Sequence, residues 1–104
     1  MKVNIKDQEV ELRFTFDAYI CYENTWGESI GNSADFAKTI SFEYFVVLCS
    51  KKGWQSSNWL TYEEFLDWIN EDPYKYVEIS EFISKYMNME NVLSKKEQEE
   101  VKKN

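Results

Sequence analysis

KVNIKDQEVELRFTF, residues 2–16, alternates apolar and polar side chains with a single interruption. Val3 and Ile5 point one way, and Lys2, Asn4 and Lys6 the other. After Lys6-Asp7-Gln8-Glu9 the pattern resumes, with Val10, Leu12, Phe14 and Phe16 set against Glu9, Glu11, Arg13 and Thr15. A period of two gathers apolar groups on one face of a pleated ribbon, so the stretch predicts an antiparallel hairpin. An isolated hairpin is marginal in water, and this face needs a cover, from later elements of the chain or from another chain.

Beyond residue 16 the chain reads as helix. Thr15 and Asp17 are candidate caps for a short helix through Asn24, and Gly27 is its stop, because glycine takes the left-handed cap conformation without steric cost. Ser33 is the candidate cap of a longer helix with Asp35 in its first turn, running to about Lys52 and closing with Lys51, Lys52 and Gly53. One face of it carries Phe36, Ile40, Tyr44, Val47 and Leu48; a second carries Phe42, Phe45, Val46 and Cys49. A helix apolar on two sides is enclosed, and in so small a domain a partner is a candidate for closing one side.

Residues 54–60 read as a polar loop holding Trp54 and Trp59. Thr61 and Glu64 form a T-x-x-E capping box, and Tyr62, Phe65, Leu66 and Ile69 come next at helical spacing with Trp68 beside them. Asn70-Glu71-Asp72-Pro73 ends that helix, because the residue before proline is pushed out of helical geometry, and Pro73 can open the next. The last helix presents Ile79, Phe82, Ile83, Tyr86 and Met87. From Ser94 the sequence SKKEQEEVKKN has almost no apolar surface to offset its ordering entropy. The expected architecture is α+β, a hairpin packed on a bundle of three to four helices. It spans 1–90 as one domain, followed by a charged tail at 91–104, frayed or disordered.

At 104 residues the chain has room for one modest core. Twelve basic and nineteen acidic side chains leave a net charge of −7, which opposes binding to phosphate backbones and to anionic membrane. No apolar run approaches the ~20 residues of a membrane span, and the polar N-terminus has no signal region. An intracellular protein with reduced thiols is expected.

The chain has no histidine, which removes the usual general base and the commonest metal ligand. Cys21 and Cys49 have no C-x-x-C partner, so they are read as small buried hydrophobes and no metal is expected. The acidic groups Glu63-Glu64-Asp67 and Glu71-Asp72 lack the glycine-centred spacing of a calcium loop and read as solvated helix charge. The serines have no histidine, G-x-S-x-G or S-x-x-K beside them, and three glycines cannot build a phosphate-cradling loop. Neither catalysis nor a cofactor is expected.

Most of the four Trp, seven Tyr and seven Phe read as core by default, given their helical or strand spacing. Trp54 and Trp59, set among polar neighbours, and the second face of the long helix, Phe42, Phe45, Val46 and Cys49, are the candidate partner-binding residues.

The order of these elements resembles the tail assembly chaperones of long-tailed, siphovirus-type bacteriophages. The resemblance runs from the strand at Met1-Lys2-Val3-Asn4-Ile5 through EVELRFTF at 9–16 and Tyr22-Glu23-Asn24-Thr25-Trp26-Gly27. It continues over the long apolar helix to Leu60-Thr61-Tyr62-Glu63-Glu64-Phe65, about residues 1–90 in all. The hairpin turn departs from the pattern in lacking glycine or Asn-Gly, and the long helix is unusually aromatic. The resemblance implies a non-enzymatic role in the cytoplasm of the bacterial host: coating the tape-measure protein until tail-tube protein polymerises around it, with self-association into a homo-oligomer. Such proteins are often also made in a frameshifted, extended form, and Lys102-Lys103-Asn104 is compatible with an A-rich slippery run. A second class of reading is a small acidic intracellular adaptor or inhibitor that caps one surface of a phage or host protein.

Overall fold

A computed structural model describes residues 1–31, 35–51 and 58–87. Its N-terminal hairpin pairs β1 (Lys2–Ile5) with β2 (Gln8–Glu11), opposing Val3 to Val10 and Ile5 to Gln8. The turn is tighter than the polar interruption suggests. Lys6 and Asp7 alone make it, with φ of 54° and 58°. Positive φ at both residues matches the right-handed twist of the strands but is sterically costly away from glycine. Lys6 gains partners in return: its ammonium donates to the Trp59 carbonyl at 2.7 Å and pairs with Glu64 at 2.8 Å.

β2 ends at Glu11, short of the alternation's reach to Phe16. The Arg13 amide donates to Ser50 Oγ at 2.9 Å instead of to a strand neighbour. Phe14 turns into a group of rings, 5.5 Å from Tyr19 and 6.3 Å from Phe42. Phe16 then starts a helix.

Helix α1 (Phe16–Trp26) runs two residues past the expected end and stops at Gly27, whose φ of 73° lets its amide reach the Glu23 carbonyl at 2.8 Å. Thr15 occupies the N-cap, but its hydroxyl makes no capping bond. Helix α2 (Phe36–Ser50) is capped by Asp35, which accepts from the Lys38 amide at 2.9 Å. The expected cap Ser33, the stop at Lys52 and Gly53, Trp54, and the tail at 91–104 lie outside the described residues.

Helix α3 (Tyr62–Glu71) opens with the expected capping box: the Glu64 amide donates to Thr61 Oγ1 and the Thr61 amide to Glu64 Oε1. After Asp72 and Pro73 the chain re-enters helix as α4, residues 74–87. The hairpin, four helices and one shared hydrophobic cluster give the α+β architecture.

Helix α2 is its axis. Phe42, Val46, Val47, Leu48 and Cys49 are all buried by this chain's own elements, so both apolar faces are enclosed from Phe42 onward, while Phe36 at the helix start is left exposed. Phe42 meets the rings of Phe14, Tyr19 and Tyr22 from the α1 side. Tyr44 meets Tyr62 and Phe65 of α3, and its hydroxyl donates to the Leu60 carbonyl at 2.6 Å. The hairpin is tied to α3 by Trp68, whose indole N–H donates to the Asn4 carbonyl at 2.7 Å.

Candidate partner-binding surface

The residues expected to meet a partner are mostly inside. Phe42, Val46, Cys49 and Trp59 are buried within the chain, and Phe45 is half-buried against the Tyr44 ring. Their assignment to a partner-binding face is therefore corrected. Trp59 illustrates the reason: its indole N–H donates to the Leu48 carbonyl at 3.0 Å, and Lys51 lies 5.1 Å above its ring. A buried indole needs an acceptor, and the end of α2 supplies one that its polar sequence neighbours do not reveal. Cys49 meets the Cys21 thiol between α1 and α2, a proximity invisible in their 28-residue spacing. Both thiols are free and burial raises both pKa values, which disfavours thiolate chemistry.

Other large apolar groups are left outside the core. Phe16 is 77% exposed and Ile20 54%, one turn apart on the outer side of α1. Phe36, at the start of α2, is 65% exposed and lies 5.3 Å from the Tyr76 ring. Tyr76 and Val77 line a shallow open groove along α4, and Tyr74, 65% exposed, stands one turn before Val77. These are the ends and outer faces of amphipathic helices, where sequence periodicity groups a residue with the core without saying whether the fold reaches it. An aromatic as the first residue of its helix, as Phe16 and Phe36 both are, is the signal that could have marked them.

The acidic groups on α3 border a second crevice, beside the hairpin turn, with Asp7, Glu64, Asp67 and Glu71 along it and Lys6 and Lys75 among them. Glu64 is already engaged. The Lys6 ammonium, followed by the Thr61 amide, holds its carboxyl below the usual range. Lys75 sits 4.5 Å over the Trp68 ring. Opposite charges are interleaved here, as on a solvated surface, and among the described residues no group of three or more His, Cys, Asp or Glu is placed to hold a metal. Nor is any helix among them long and apolar enough to cross a membrane.

One buried acid is not apparent from sequence periodicity. Glu43 sits on α2 between Phe42 and Tyr44, fully enclosed, with Oε1 accepting from Ser80 Oγ at 3.2 Å. Burial pushes its carboxyl up to about 8, with the Ser80 hydrogen bond acting in the opposite direction. A lone acid inside an apolar run, Phe42-Glu43-Tyr44-Phe45-Val46-Val47, is the clue the sequence offers.

Comparison with known protein families, curated proteins and solved structures finds no match to this chain.

Proposed function

We propose that this chain is a non-enzymatic binding protein, a phage tail assembly chaperone that holds amphipathic helices of a tape-measure protein in solution. The observation that carries the reading is the set Phe16, Ile20, Phe36 and Tyr74, large apolar side chains left exposed although the core beneath them is filled. Helices with vacant apolar faces are matched by helices of the same kind, docked through side chains three and four residues apart. The net charge of −7 supports the same role, since it keeps a complex with a sticky client dispersed. The order of hairpin, short helix, long apolar helix and capping-box helix agrees with the chaperone resemblance.

On this reading the client lies against α1 and against the α2–α4 edge marked by Phe36, Tyr76 and Val77, while the buried face of α2 holds the fold together. Co-expression with a long coiled-coil protein of the tape-measure kind tests the proposal. The client becomes soluble with the wild-type chain, and solubility is lost with the double variant Phe16→Asp/Phe36→Asp. Unchanged client solubility across several client segments defeats the reading.

A further inference from the structure

Glu43 is 1% exposed, yet its Oε2 has no hydrogen-bond partner among the described residues. A buried polar atom left unpaired destabilises the fold, and the same side chain lines a cavity of about 200 Å³ between α2, α4 and the segment at Ile30 and Gly31. We propose that this cavity is a binding site for a primary alkylammonium group, its head held by Glu43 and neighbouring hydroxyls and its stem by the apolar wall. The site is independent of the exposed surface described above and goes beyond the chaperone reading.

The chemistry of the lining selects the ligand. Thr39, Ser80 and Ser84 bring hydroxyls to the cavity, and Phe42, Ile83 and Met87 bring apolar surface. The Ser80 proton is committed to Glu43 Oε1, and the Thr39 proton to the Asp35 carbonyl at 3.0 Å. Both hydroxyls therefore have only lone pairs left to offer, beside a carboxylate that is acceptor-only when ionised. A set of acceptors calls for a ligand rich in donors, and an ammonium has three N–H groups and no acceptor. A carboxylate or phosphate would meet the lone pairs of Thr39 and Ser80 and, once Glu43 is ionised, a like charge. A quaternary ammonium has no N–H to give.

Occupancy is coupled to pH. Among the described residues no charged or titratable side chain other than Glu43 lines the cavity from α2, α4 or residues 30–31. Ionisation of an empty site is opposed by burial, so below about pH 8 an arriving ammonium must displace a proton. Affinity then rises close to tenfold per pH unit and levels off above about 8.

The test is a titration of the full chain with n-butylammonium chloride, followed by amide chemical shifts of Ser80 and Ser84, at pH 6, 7 and 8. Saturable binding that tightens about tenfold from pH 6 to 7 and is lost in Glu43→Gln supports the site. Equal response to tetramethylammonium chloride, equal binding by Glu43→Gln, or no response at high millimolar concentration overturns it. If Glu43→Gln does not fold, the pH profile of the wild-type chain and the several-fold weakening expected of Ser84→Ala decide alone; a flat profile overturns the site. Two sources share this chemistry, a free alkylamine and a lysine side chain on a bound polypeptide. A helical alanine-based peptide with one lysine, compared with its Nε-acetyl form, separates them. Tighter binding of the free-lysine peptide than of butylammonium identifies the polypeptide source, and the reverse identifies the small amine.

Discussion

Replacing Glu43 with Gln should alter the pH dependence of stability more than its value at any single pH. The ordinary carboxyl value is 4.5 and the folded chain raises it to about 8, chiefly by burial. Below about pH 4.5 the group is protonated in both states and its ionisation costs nothing. Between 4.5 and 8 the unfolded chain releases a proton that the folded chain keeps, so stability falls as pH rises. The slope approaches 1.4 kcal/mol per unit, and the loss reaches about 3 kcal/mol by pH 7. Gln does not titrate, so subtracting variant from wild type cancels the other acidic groups. Gln retains an acceptor for Ser80 but brings an extra N–H, which shifts the level of the curve and leaves its slope alone. Urea unfolding followed by tryptophan fluorescence, at constant ionic strength from pH 5 to 8, should show Glu43→Gln gaining on wild type by about 1.4 kcal/mol per unit. A gap between the two proteins that does not change with pH refutes the buried, unpaired carboxyl.

The same packing sets the outcome of other substitutions. Thr61→Ala removes one half of the capping box and should cost about 1 kcal/mol in urea unfolding. Asp7→Gly relieves a positive φ at the second turn position and should stabilise by roughly 0.5–1 kcal/mol, read as a rise in thermal midpoint; destabilisation would contradict the assigned turn. Phe65, fully buried between Tyr44 and Trp68, should lose about 3–5 kcal/mol on truncation to Ala, whereas Phe16→Ala should stay within about 0.5 kcal/mol of wild type by the same assay.

The hairpin, the stop at Gly27, the capping box and the break at Pro73 are legible in the sequence because each rests on local chemistry: period-two alternation, a left-handed glycine, a reciprocal amide pair, a missing N–H. The enclosure of α2 from Phe42 onward is legible too, since both its apolar faces stand in one stretch of sequence, but the exposure of Phe36 at its start is not. Where β2 stops is not. Residues 12–16 keep alternating, but the Arg13 amide goes to Ser50, 37 residues away, and only tertiary contact can announce that. The same limit governs the surface. Trp59 looks exposed beside Ser57 and Asn58, yet its partner is the Leu48 carbonyl, while Phe16, which the alternation makes the last inward residue of a strand, faces water. Polar neighbours report local composition, and burial is set by elements distant in the chain.

The proposed client-holding role rests on exposed apolar surface meeting another polypeptide, and mass in solution tests it most directly. Light scattering of the purified chain, alone and mixed with a soluble tape-measure segment, should give a peak with the combined mass of both. The Phe16→Asp/Phe36→Asp variant, folded by circular dichroism, should leave the two components apart. Separate elution of the wild-type chain and the segment, each at its own mass, contradicts the client-holding role.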